Sequence, residues 1–446
     1  MNNHHVIRRQ HLHVTFEGTE PEGFALQHRL SALCHDWLVP AIETALDRCA
    51  PPDGHLYIEH LTIDAGAFRP ERLEHDLAGR VAQAIEKAIL EQTQPTSVQG
   101  HFQHKTEHQA ALEAIIHFLK NGHLPWSFRL PPGTDLEPYL LTLWEKTAIR
   151  PSDVAQMDQG LLAPMARRRL VLQFSDGFLE KLLQSISPQA CASVRELRTA
   201  LGDARPAFQK RLWETAFAQA VTGGDTGLAA LALKMKVELI ASSPSPETRL
   251  IALLDSLLSK SAPLLNPQST WPVNLETRPL PNEGVYVDNA GLVILHPFLP
   301  KFFEGLGLAQ EGVLLQPDRA LHLLHYLCTG HSPAPEYTLA LPKVLCNIPL
   351  EDPVDIDLFL TEPEKEEALV LLQAVIRHWE ALQNAAPDAL RGTFLLRPGK
   401  LSRRDDGGWL LQVEKQGFDI LLDQLPWSIG MIQLPWMEGL LWVEWN

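Results

Sequence analysis

Apolar and polar positions alternate with a period of two along Val6–Phe16, with Leu12, Val14 and Phe16 on one face and His11, His13 and Thr15 on the other. This pattern predicts a strand. From Phe24 the spacing turns helical, through Leu26, Leu30, Leu33 and Trp37. Pro40 interrupts it before Ile42, Ala45 and Leu46 resume, which predicts a kink or break at Pro40. Pro51-Pro52-Asp53-Gly54 is a turn signal. A second strand follows over His55–Ile63, where a change of parity predicts a bulge near His60. A helix then opens at Pro70 and carries Leu73, Leu77, Val81, Ile85 and Leu90 inward. The order strand, helix, strand, helix predicts a small α+β unit over residues 1–92, with the sheet orientation open.

Gln92–Thr106 is polar and broken by Pro95 and Gly100, as expected of a linker. Beyond it, three-four spacing predicts helices at Ala110–Leu119, Leu136–Lys146, Met165–Phe174, Gly177–Ile186, Val194–Leu201, Ala207–Val221, Gly227–Ile240 and Glu247–Ser259. No heptad pattern is sustained, so residues 107–265 read as a bundle or loose solenoid of short helices and not as a coiled coil. The proline-rich stretch Asn266–Asn282 reads as a second linker.

Residues 283–446 predict a mixed α/β module. Val285–Val287 and Leu292–Leu295 read as strands about a turn at Asn289–Gly291. A helix is expected at Ala320–Cys328, and Asp352–Asp357 as an edge segment with solvated carboxylates. Thr361-Glu362-Pro363-Glu364 is a capping box with proline in the first turn, opening a helix to about Gln383. Phe394–Leu396, the turn Arg403–Gly408 and Trp409–Val413 read as a hairpin. Phe418–Asn446 carries four of the eleven tryptophans. Trp427, Ile429 and Met431 share one side, and Leu440, Trp442 and Glu444 alternate with Leu441, Val443 and Trp445. Two strands cornered by Leu-Pro-Trp are expected, docked so firmly that the rest packs against them. The fold class expected is therefore α+β and multidomain.

Composition narrows the function. Hydrophobic residues make up 45% and charged residues 21%, as in globular proteins. No apolar run reaches bilayer length and no signal-peptide core opens the chain, so a cytoplasmic protein without membrane insertion is expected. A net charge of −16 repels phosphate backbones, and Arg167-Arg168-Arg169 is too short to reverse that, which argues against nucleic acid. Five scattered cysteines form no Cys-x-x-Cys pair and are expected as reduced thiols. His4, His5, His11 and His13, the group His55, Glu59 and His60, and the series His322, His325 and Cys328 lack metal-site spacing. Catalytic and dinucleotide fingerprints are absent from the sequence. No catalytic residue, metal or cofactor is therefore assigned.

One ordered set of motifs is more informative. Phe118-Leu119-x-x-Gly122-x-Leu124-Pro125-Trp126, the run from Gly291 to Pro300 containing His296-Pro297-Phe298, His322-Leu323-Leu324-His325-Tyr326-Leu327, and the pair Leu425-Pro426-Trp427 and Leu434-Pro435-Trp436 resemble the contractile injection system tape measure protein family. The starting His-Val-Ile-Arg8-x-Gln10 and the Ile58–Gly66 stretch resemble it too. The resemblance implies a non-enzymatic component of a phage-tail-like particle, acting in tube assembly or length setting. Tube, cap or baseplate subunits are the implied partners, with homo-oligomers possible. Leu124, Pro125, Trp126, His296, Pro297, Phe298, His322, His325, Pro426, Trp427, Pro435 and Trp436 become the candidate structural or interaction residues.

The literal sense of a ruler fits the sequence poorly. The chain holds 34 prolines, and the residues between the linkers would span only about 250 Å even as one helix. A hub that caps or nucleates the tube fits better. An adaptor or chaperone absent from the finished particle is the alternative, and a hydrolase or metalloenzyme is the more distant one.

Overall fold

The computed structural model describes residues 5–445 apart from 6, 8–9, 52–54, 70–71, 93–101, 132, 148–149, 203–205, 243–247, 261–283 and 383–384. It is α+β, 60% helix and 8% strand, and divides into two compact units, Met1–Glu113 and Ala114–Asn446. The expected linker Asn266–Asn282 and most of the one before it lie outside the described residues.

In the first unit a capping box opens helix α1 (Glu20–Leu33). The Glu22 carboxylate accepts from the Thr19 amide at 2.8 Å and its hydroxyl at 2.7 Å. Pro40 does not break the helix as expected. A π turn over Cys34–Leu38 widens the coil just before Pro40, which is taken into a helix that continues as α2 (Val39–Cys49). Strand β1 (His55–Ile58), helix α3 (Leu73–Gln92) and strand β2 (Phe102–Lys105) follow, with β1 and β2 antiparallel. Leu33, Leu38, Ile42 and Ala45 pack against Leu73, Leu77, Val81, Ile85 and Ile89. Three expectations need correction. The second strand stops at Ile58, so no ladder exists for a bulge at His60. Residues 10–17 form no strand. The helix buries Ile89 and exposes Leu90.

Helix α4 (Glu107–Asn121) crosses the boundary between the units. In the second unit follow α5 (Leu136–Lys146), α6 (Pro151–Leu161), α7 (Pro164–Gln173), α8 (Asp176–Ile186), α9 (Pro188–Leu201), α10 (Pro206–Val221), α11 (Leu228–Ser242) and α12 (Thr248–Lys260). Four of these helices begin on proline, which supplies a preset φ where no amide partner exists. Helix α6 was not expected, because Val154, Met157 and Leu161 are its few large apolar residues. Helix α10 packs against its neighbours α6 to α9 and α11. At 16 residues it is about 24 Å long.

The remainder holds β3 (Val285–Val287), α13 (Leu299–Gly305), β4 (Ala309–Gln310), β5 (Val313–Leu314), α14 (Pro317–Thr329), α15 (Ala340–Leu345), α16 (Glu362–His378), α17 (Pro387–Leu390), β6 (Gly399–Arg403), β7 (Trp409–Val413), β8 (Met431–Ile432) and β9 (Leu441–Trp445). The larger sheet runs β3-β6-β7-β9-β8, antiparallel except for β7 and β9. The capping box at Thr361 opens α16 as expected. Leu292–Leu295 is no strand. Ala290–Leu295 is a buried 3-10 turn, in which a Cβ on Gly291 would lie 1.7 Å from the Phe394 carbonyl. The hairpin's first strand is β6, since Arg391–Leu395 winds into a π turn. Gly417–Gln424 forms a 3-10 turn, and the strand expected through Trp427 shrinks to β8, with Met431 outward and Ile432 buried.

Candidate functional site

The Leu425–Trp427 corner meets the Gly291–Pro300 run. The Trp427 indole donates to the Ile294 carbonyl at 2.9 Å, and its ring stands edge-on to Phe298, centroids 5.2 Å apart. Phe298 also touches His378. Trp436 donates to the Leu345 carbonyl at 2.8 Å and lies against Phe303. Pro297, Pro426 and Pro435 stay exposed, and His296, Phe298, Trp427 and Trp436 are half-buried. His296 bonds its own turn at the Val293 carbonyl. Each Trp thus fills apolar space and satisfies a carbonyl that a 3-10 turn or helix end leaves open. Leu124, Pro125 and Trp126 follow α4 and are half-buried.

His322 and His325 lie buried on α14. The His322 Nε2 is 3.0 Å from the Asp355 carbonyl, and the His325 Nδ1 is 3.2 Å from the Thr338 hydroxyl. Burial lowers the pKa of both, His325 to about 4. They are structural neighbours of backbone and hydroxyl groups. Among the described residues no three His, Cys, Asp or Glu side chains are grouped to hold a metal ion. The carboxylates expected as solvated are in part paired: Lys210 of α10 reaches Asp355 at 2.6 Å and Asp357 at 2.8 Å, and Ile356 bonds its amide to the Leu172 carbonyl.

The centre of this unit is a buried charge cluster that no motif announced. Arg169 on α7 meets Glu336 through Nε, at 3.0 and 3.1 Å from the two carboxylate oxygens. Its remaining nitrogens donate to the carbonyls of Leu119 and Glu351. Lys343 on α15 reaches Glu336 at 2.6 Å and the carbonyls of Leu350 and Asp352 at 2.9 and 2.6 Å. Arg169 and Glu336 are fully buried and Lys343 is 1% exposed. Two cations share one carboxylate, and four carbonyls offset the excess. Burial pushes the Lys343 ammonium down, opposed by Glu336. Gln173, one turn from Arg169, accepts from the Glu336 amide and donates to the Val354 carbonyl. Gly122 ends α4 at φ +80°, where a Cβ would lie 2.5 Å from the Leu350 carbonyl and 2.8 Å from Glu336. Two motif positions, Leu119 and Gly122, therefore belong to this clamp between the helices and the C-terminal part.

A signal for the cluster was present. Ala166, Arg169, Leu170 and Gln173 share the inward stripe of α7, so an arginine and a glutamine interrupt an apolar face at helical spacing. Weighing Arg167–Arg169 only as a short basic cluster obscured it. Arg167 instead caps α6 through the carbonyls of Leu161 and Leu162.

The clamp joins distant parts of the chain into one folded body. The contractile injection system tape measure protein family matches residues 4–445, nearly the whole length, and the chain belongs to that family. No curated protein and no solved structure matches it significantly. No helix among the described residues is long and apolar enough to cross a membrane.

Proposed function

We propose that this chain is an assembly hub of a contractile injection particle, a folded body that docks tube, cap or baseplate subunits, and not an extended ruler. The clamp of Arg169, Glu336 and Lys343 is the observation that carries this reading. It joins α7 to the turn at Glu336 and to α15 in the C-terminal part across 167 positions of sequence, and drawing the helices out into a rod would leave its charges buried without partners or expose them all. Helices of about 24 Å that fold back on one another supply little reach.

A locked protein tests the reading. Lys210→Cys and Asp357→Cys, joined by a short bismaleimide, would hold α10 to the C-terminal part. Normal yield of full-length particles containing the locked chain supports the hub. Short particles, or none, support a ruler that must unfold. A chain missing from purified particles that it helped to build would be an adaptor that leaves before completion.

A further inference from the structure

Two five-residue stretches of the first unit carry the same pattern, and neither is in a ladder. Leu12, Val14 and Phe16 are apolar at alternate positions in a segment without regular secondary structure and are 46, 49 and 37% exposed. Leu61, Ile63 and Ala65 alternate likewise and rest half-buried against the core of α1 to α3, while Thr62 and Asp64 face outward. Among its described residues the unit holds a two-stranded sheet, β1 with β2.

The first stretch is met at both ends by the long helix formed by α1, the π turn and α2. The His5 imidazole lies 2.8 Å from Asp47 near the helix end, and Thr19 caps its start. Residues 5–19 extended reach about 46–50 Å, little more than the roughly 40 Å from Glu20 to Asp47. Residues 10–17 are exposed along their length.

We propose that Leu12–Phe16 adds as an antiparallel strand to Leu61–Ala65 of a second copy of this chain. In that register Val14 faces Ile63, Phe16 faces Leu61, Thr15 faces Thr62 and His13 faces Asp64. These are three like-with-like pairs of the kinds that stabilise sheets plus one of opposite polarity. Charge favours the same occupant. Residues 1–16 contain two arginines, four histidines and no acid, in a chain of net charge −16, so the arm complements its own kind of surface and two arms repel one another. The contact joins different surfaces on the two copies, so it closes a ring or grows a chain. This inference stands apart from the hub reading.

Single cysteines test it in the full chain with Cys34 and Cys49 changed to serine. Copies carrying only His13→Cys are mixed with copies carrying only Asp64→Cys under mild oxidation, and sedimentation velocity of the unmodified chain is recorded over a hundredfold range of concentration. The expected result is a cross-linked dimer that needs both copies, with concentration-dependent assemblies weakened at least tenfold by Val14→Asp. A monomer at every concentration without cross-linking overturns the proposal. So does a cross-link formed only inside a chain bearing both cysteines, since the arm then serves its own copy, or an arm captured only by another particle subunit.

Discussion

The helical residues 114–260 and the C-terminal residues 284–445 share one unit, yet they are built on opposite principles. In the helical region α6 to α10 are each specified by their own few residues: a proline or serine at the start, apolar side chains along the inward face, then a stop. Ser175 and Ser187 accept from Phe178 and Ala190 to open α8 and α9. In the C-terminal region short elements owe their shape to distant partners. The 3-10 turn Ala290–Leu295 exists where Gly291 meets the Phe394 backbone and Ile294 receives Trp427. β9 bonds in parallel to β7, about thirty residues back, and antiparallel to β8. Locally specified helices tolerate rearrangement, whereas a region fixed by long-range contacts fails as a whole. The buried charge cluster binds the two behaviours together.

The largest effect should come from truncating the chain after Gln433. This removes β9 from the sheet interior together with Trp436, Trp442 and Trp445, each large side chain costing about 1.5–3 kcal/mol of burial, a total comparable to the stability of a domain. Insoluble protein is expected. A soluble product with unchanged melting would show that the C-terminal region is also locally specified.

Next in size is Glu336→Gln, which leaves Arg169 and Lys343 buried side by side without a counter-ion. Breaking such a pair costs about 3–5 kcal/mol. Chemical denaturation should show that loss and split the unfolding of the two regions into separate transitions. Lys210→Ala, at a partly exposed pair, should cost no more than about 1 kcal/mol. Equal effects from the two substitutions would dissolve the distinction drawn for the clamp.

Acid should act through histidines on both sides. Burial lowers the pKa of His117 on α4 and His325 on α14 to about 4 from an ordinary 6.5. A neighbouring histidine adds to it in each case. The unfolded chain therefore binds more protons between pH 6.5 and 4, and stability that is complete above pH 6.5 is lost as pH falls toward 4, by up to about 3 kcal/mol for each group. Glu364 acts lower. Burial raises its pKa, but hydrogen bonds from Arg319 and Thr361 outweigh that and hold it at about 2, so its contribution is lost only below about pH 4.5. Melting temperature against pH should fall from 6.5 to 4, and His117→Leu with His325→Leu should flatten that slope. An unaltered slope would place the acid sensitivity elsewhere.

The same contrast explains what could be read from the residues alone. Helix α5 and the capping box of α16 depend on side chains within a few positions, and their spacing announced them. The order of the motifs also carried the family. The π turn at Cys34–Leu38, the 3-10 turns and the pairing of β7 with β9 depend on partners far along the chain, which periodicity does not encode. Of the candidate residues, Trp427 and Phe298 are adjacent and His322 and His325 are buried, but their arrangement became visible only with the tertiary contacts. Arg169, Glu336 and Lys343 were missed because polarity alone suggested the surface.

Particle length is the most direct test of the central claim. A 28-residue helical insertion near Gly223, an open turn between α10 and α11, adds about 40 Å if the segment lies stretched along the tube. Electron micrographs of particles assembled with this chain should show unchanged length, with reduced yield as the only effect. A uniform lengthening of about 40 Å would contradict the hub and establish the helical segment as a ruler.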